Sequence, residues 1–128
     1  MKVDYCIISE NKITDNGRGI DLLDSSYNII SGNIMDQNGA GLNIRGFNNN
    51  IYKNQIRNCN YGISISHGGN NTLSEKNIVD SQNRGINLPD SRNNNFTLNE
   101  IVNSGEYGIF FTNSHDNIFL HNNFVNNI

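Results

Sequence analysis

The chain has no tryptophan and one proline, Pro89. Only 16% of its residues are charged, 9 Lys and Arg against 12 Asp and Glu, for a net charge of −3. No basic field is available to hold a phosphate backbone, so a nucleic-acid partner is not expected. No apolar run approaches the roughly 18 residues that a membrane-spanning helix needs. Met1-Lys2-Val3-Asp4 leads straight into patterned sequence, so no secretory leader is expected in this stretch. Apolar residues do not recur at i, i+3, i+4 and i+7 over any sustained stretch, so helices are not expected either. The two cysteines, Cys6 and Cys59, fall at different phases of the pattern described next and several repeats apart. Stacking cannot bring such positions within the roughly 7 Å Cα separation that a disulfide requires, and two free, partly buried thiols are expected.

Asparagine is the most frequent residue type, and isoleucine is the next. The apolar residues keep phase with a repeat, which separates this composition from a disordered Asn-rich tract. Gly-Ile or Gly-Leu pairs stand at Gly19-Ile20, Gly41-Leu42, Gly62-Ile63, Gly85-Ile86 and Gly108-Ile109, nearly evenly spaced, with the step from Gly41 to Gly62 the shortest. A second signature runs in step: Asn49…Ile51…Ile56, Asn71…Leu73…Ile78, Asn94…Phe96…Ile101 and Asn117…Phe119…Phe124, with weaker copies at Ile8…Ile13 and Ile29…Ile34. A sustained period of this length signals a solenoid.

Each unit reads as three short strands. The first is Gly-Ile-x-Leu, alternating in and out with period two. The second centres on Ile8, Ile29, Ile51, Leu73, Phe96 and Phe119, and the third on Ile13, Ile34, Ile56, Ile78, Ile101 and Phe124. Between the second and third lies a tight bend at Asn11, Gly32, Asn54, Lys76, Asn99 and Asn122. Asn tolerates the left-handed region and bonds its own local backbone. Stacked about one strand spacing (~4.8 Å) apart, its amides would also form a ladder, which Gly32 suits by conformation and Lys76 interrupts. The repeat glycines suit a turn of positive φ or a close backbone approach.

Gly-Ile-x-Leu, as in Gly85-Ile86-Asn87-Leu88, combined with Asn-x-apolar-x-x-Asn-x-Ile, as in Asn49 to Ile56, resembles the NosD-like, or CASH (carbohydrate-binding and sugar hydrolase), group of parallel β-helix proteins. The likeness covers about residues 6–127. It implies an all-β fold, one right-handed parallel β-helix in a single domain over residues 1–128. The helix would have about five to six coils of roughly 21–23 residues each, with three short strands per coil. Because the pattern runs off both ends uncapped, the chain is expected to be a segment of a longer repeat protein. The group includes polysaccharide lyases, hydrolases and epimerases beside non-catalytic surface proteins, so function has to be read from sites. The resemblance also implies an extracellular, cell-surface or periplasmic setting.

In a solenoid, equivalent positions line up about 4.8 Å apart. One such row reads Asp15, Asp36, Asn58, Asp80, Asn103 and Asn126. Asp15 beside Asp36 would share a proton, raising one pKa, or hold Ca²⁺ together with carbonyl oxygens; Asp and Asn also interchange simply as turn formers, and no other cofactor is expected. The turn after the first strand reads Asp24, Gly46, His67, Asp90 and Asn113, with His67 beside Asp90 as the general acid–base candidates. His67, His115 and His121 fall in different rows, so no copper site is expected and no metal ligand is assigned. The residues before the repeat glycines are Arg18, Ala40, Tyr61, Arg84 and Tyr107, and two after them come Asp21, Asn43, Ser64, Asn87 and Phe110. Arg18, Tyr61, Arg84, Tyr107, Asn87 and Phe110 are the ligand-binding candidates, a strip suited to a polysaccharide or glycan by ring stacking and directed hydrogen bonds. Tyr and Arg are equally at home on an ordinary sheet surface. The sequence therefore favours a non-catalytic structural or carbohydrate-contacting module over the core of a polysaccharide lyase, hydrolase or epimerase, with end-to-end self-association as a further alternative.

Overall fold

The computed structural model describes residues 2–75 and 77–128, with Ile78 described by its backbone. Every unit folds into one coil of a parallel β-helix. The second strands are β1 (Ile7–Ser9), β4 (Ile29–Ser31), β7 (Asn50–Tyr52), β9 (Thr72–Ser74), β11 (Asn95–Thr97) and β14 (Ile118–Leu120), and they form a 6-stranded sheet in chain order. The third strands are β2 (Lys12–Thr14), β5 (Ile34–Asp36), β12 (Glu100–Val102) and β15 (Asn123–Val125). The glycine-led strands are β3 (Arg18–Leu23), β6 (Ala40–Arg45) and β13 (Tyr107–Thr112). In the middle coils both faces are carried by one long strand, β8 (Gln55–Ile65) and β10 (Ile78–Pro89), so these strands all join a 9-stranded sheet. Every pairing is parallel and links one coil to the next.

The lumen is filled by columns of identical position. Ile30, Ile51, Leu73 and Phe96 are fully buried along one wall, and Met35, Ile56, Val79 and Ile101 along the second. Leu42, Ile63 and Ile86, with Ile44, Ile65 and Leu88, fill the glycine-led wall. Burying each such side chain contributes about 1.5–3 kcal/mol. Phe96 and Phe119 continue their column as parallel rings 4.4 Å apart.

Three expected wall residues are displaced by one position. The core holds Ile30 rather than Ile29 and Met35 rather than Ile34; Val79 occupies the lumen where Ile78, whose side chain lies outside the described residues, was expected. A one-residue slip in a strand exchanges inside for outside. The signature had the right phase all along: each true wall residue stands two after an asparagine, as in Asn28-x-Ile30, Asn33-x-Met35 and Asn77-x-Val79.

The same slip corrects the ladder. It runs Asn11, Asn33, Asn54, Asn77, Asn99 and Asn122, without interruption. Lys76, expected to break it, lies outside the described residues, and Asn77 carries the rung. In each coil Nδ2 donates to Oδ1 of the next asparagine at 2.8–3.1 Å. It also donates back to a buried carbonyl, as from Asn54 to Ile30 O at 2.9 Å. The left-handed conformation falls one residue earlier, at Glu10, Gly32, Lys53, Glu75, Leu98 and His121 (φ 54–65°). Bending and bonding are thus divided between neighbours: an exposed residue turns the chain, and the buried Asn satisfies the turned backbone. A second ladder, Asn28, Asn49, Asn71, Asn94 and Asn117, lines the broad corner. At the third corner Cys59, Ser81 and Ser104 replace asparagine, and the Ser81 and Ser104 hydroxyls are buried without a partner. Cys6 and Cys59 are free thiols.

The glycine column exists for close approach, not for positive φ. A Cβ on Gly62 would lie 2.5 Å from the Gly85 carbonyl oxygen and overlap a Val79 methyl.

Candidate functional site

The glycine-led face assembles the two rows expected on it. Pairing sets Arg18 beside Ala40, Ala40 beside Tyr61, Tyr61 beside Arg84 and Arg84 beside Tyr107. Asp21, Asn43, Ser64, Asn87 and Phe110 align in parallel with them. Both rows face outward because the in–out alternation breaks at the repeat glycine: Gly62 and Ile63 are buried in succession, so Tyr61 and Ser64, three residues apart, share the outer face.

Arg84 is the centre of this surface. Its guanidinium carbon lies 3.9 Å from the Phe110 ring centre, with the Tyr61 and Tyr107 rings at 6.0 and 5.9 Å on either side. A cation over an aromatic face contributes about 0.5–1 kcal/mol when exposed and more when half-buried. Arg84 Nε also meets Glu106 Oε2 at 3.1 Å, and Nη1 donates to Asn87 Oδ1 at 3.2 Å. Asn87 in turn donates to Ser64 Oγ at 3.3 Å. Tyr107 and Phe110 tilt against each other with ring centres 5.2 Å apart. At the other end of the strip Arg18 Nη1 donates to Asp21 Oδ2, and Asn43 Nδ2 to Asp21 Oδ1, each at 2.6 Å. Burial pushes the Asp21 carboxyl up, but these two bonds together with the charges of Arg18 and Arg45 outweigh it and hold the group below the usual carboxylate range. Each guanidinium therefore carries its own carboxylate, and the strip presents paired donors and acceptors beside ring faces. Between Arg18 and Tyr61 the small Ala40 leaves a depression of about 380 Å³, lined also by Gly39, Asn43, Ser64, Arg84 and Asn87.

The carboxylate pair expected on the third corner is not formed. Asp36 aligns with Thr14 and Arg57, whereas Asp15 takes the bend position itself, at φ 60°. Asp36 accepts from Asn58 Nδ2 at 2.9 Å and from Arg57 Nε at 3.1 Å. The Asn58 hydrogen bond and the Arg57 charge lower its pKa, the opposite of what a shared proton would do. Asp80 belongs to the Asp36 row, opposite Val102. No group of three or more His, Cys, Asp or Glu side chains gathers among the described residues.

His67 and Asp90 do come together, Nε2 to Oδ2 at 3.6 Å, on adjacent coils. Both are exposed and both take left-handed backbone, φ 52° and 51°. Asn113 donates to Asp90 Oδ1 at 3.3 Å. Gly46 does not share their row. Ile44 aligns with Ile65 and Phe47 with Gly69, leaving two residues between in one coil and three in the next. The coil carrying β6 thus lacks a counterpart of Asp24, His67 and Asp90. This is the shortest step of the repeat, from Gly41 to Gly62. The missing residue opens a notch of about 530 Å³ lined by Asp24, Arg45, Gly46, Phe47 and His67 among others. Sequence reasoning did not find this recess, although the short step marks the coil that contains it.

A family model described as a right-handed β-helix region matches residues 2–128. The chain belongs to this right-handed β-helix family. Its handedness is the one that parallel crossover connections almost always take. No curated protein and no solved structure matches the chain.

Proposed function

We propose that this β-helix is a non-catalytic module of the NosD-like, carbohydrate-contacting subgroup, working outside the cell or in the periplasm, whose glycine-led face contacts a glycan. The observation that carries this reading is the Arg84 centre. Ring faces on three sides of a guanidinium, two of whose five N–H groups are held by Glu106 and Asn87, offer both stacking and directed bonds. Sugars present the matching surfaces, an apolar ring face and an edge of hydroxyls that donate and accept. Because Arg18 and Arg84 are already paired with carboxylates, hydroxyl-rich glycans need displace no charge there to bind.

The reading is tested with a printed array of defined polysaccharides. Tyr61→Ala should weaken the signal of the wild-type protein at least tenfold while leaving the far-ultraviolet circular dichroism unchanged. A protein that binds no glycan, or a Tyr61→Ala variant that binds as well as wild type, would overturn it. One observation favours a catalytic reading, the 3.6 Å approach of His67 to Asp90. Turnover of an array polysaccharide that is lost in His67→Gln and kept in Tyr61→Ala would put that reading first.

A further inference from the structure

Two irregularities of the repeat lie on the same coil. At one end of β6 the row of large side chains is interrupted by Ala40, which creates the depression between Arg18 and Tyr61. At its other end the turn is one residue short, which creates the notch beside Arg45 and Phe47. Gly46 makes the short turn feasible, because a Cβ there would overlap the Ser25 carbonyl oxygen. Asn43, halfway along β6, faces outward between the two recesses.

From these placements we infer that both recesses form one trough, running along β6 and across the helix axis, that holds a single extended oligosaccharide. The inference rests on the glycan-contacting reading above and adds the path and the far end. From Ala40 to Arg45 the strand alone spans about 17 Å at roughly 3.3 Å per residue, the reach of several linked sugar rings, and the notch lies at its end. Each end has an aromatic surface: Tyr61 at the depression, and the exposed Phe47 ring at the notch, where it lies against Gly69. Between them Asn43 and Arg45 supply an amide and a guanidinium. Arg45 forms no ion pair among the described residues, unlike Arg18 and Arg84. A ligand lying along the helix axis would instead follow Tyr61, Arg84 and Tyr107 and never reach Phe47.

The experiment is binding to an array of cello-, xylo-, laminari- and galacturono-oligosaccharides, each from dimer to hexamer, using wild type, Phe47→Ala, Ala40→Tyr and Tyr61→Ala. Ala40→Tyr fills the depression with a side chain that the same row already accommodates at Tyr61. The trough predicts affinity rising from dimer to hexamer, with hexamer binding about tenfold weaker in Phe47→Ala and dimer binding unchanged. Ala40→Tyr should abolish both, with circular dichroism confirming an intact fold. Hexamer binding that depends on Tyr61 but is indifferent to Phe47 and to chain length would overturn the transverse path and leave the glycan reading standing. Absence of binding to every oligosaccharide and polysaccharide would overturn both.

Discussion

Replacing Asn54 by alanine tests the idea that buried amides, more than the strands themselves, hold one coil on the next. Asn54 Oδ1 accepts from both the backbone N–H and the Nδ2 of Asn33, each at 3.0 Å. Its own Nδ2 donates to Asn77 Oδ1 at 3.1 Å and to Ile30 O at 2.9 Å. Both Asn33 and Asn54 are buried, so no water replaces the lost acceptor. One buried N–H left without a partner costs about 1–3 kcal/mol, and each amide-to-amide bond lost adds about 0.5–1.5 kcal/mol. Side-chain rotamers no longer fixed return part of this. The expected loss is about 3 kcal/mol, a large share of the roughly 5–15 kcal/mol that holds a domain folded. Asn60→Ala is the control: this asparagine is exposed, its side chain makes no hydrogen bond among the described residues, and the change should stay within about 0.5 kcal/mol. Because a solenoid opens locally, the decisive assay is hydrogen exchange at the Asn33 amide, read beside urea unfolding. A loss of about 3 kcal/mol accelerates exchange there on the order of a hundredfold. Equal effects of Asn54→Ala and Asn60→Ala, or an unchanged Asn33 amide, would refute the reasoning.

Gly62→Ala should destabilise by about 1–3 kcal/mol in urea, because its Cβ meets the Gly85 carbonyl and Val79 from neighbouring coils; a neutral result would show that the coils can separate. Asp36, held below its usual pKa by Asn58 and Arg57, contributes stability that is present above the unfolded-state value of about 3.9 and fades as pH falls through the lower folded value. Asp36→Asn should therefore be less stable than wild type at neutral pH and converge with it between about pH 5 and pH 2. A gap in urea midpoint that stays constant across that range would mean the carboxylate charge contributes nothing.

The fold was legible because its rules are periodic. A lumen needs an apolar residue at fixed phase in each coil, and a glycine wherever backbones crowd, and both rules leave a mark once in every coil. What was misread fell where adjacent residues were chemically alike. Ile29 and Ile30 are interchangeable in composition, but only one of them faces inward. Gly32 and Asn33 both suit a bend, so the rung of the ladder went to the residue that turns the chain instead of the one that bonds it. The Asp15–Asp36 pair failed for the same cause: shifting the third strand by one moved Asp36 onto the strand face. The Tyr–Arg face survived because the glycine-led strands were anchored by a constant phase. Its ion pairs stayed hidden because rotamers leave no periodic trace, and the notch did because the short Gly41–Gly62 step does not say which turn lost the residue.

The asparagine ladders also give the solenoid a direction. In every rung Oδ1 faces the preceding coil and accepts there, while an Nδ2–H faces the following coil and donates. The amide dipoles therefore point the same way, head to tail, in two parallel columns inside the molecule. Such alignment adds dipole to dipole much as peptide units do along an α-helix, where the sum reaches about half a charge at each end. Here the positive pole lies toward the later coils and the negative pole toward the earlier ones. A further coil, whether from the same chain or from another molecule, meets unlike poles when it continues the same sense. Reversed, it would set amide hydrogen against amide hydrogen, so the columns act as an internal compass for stacking.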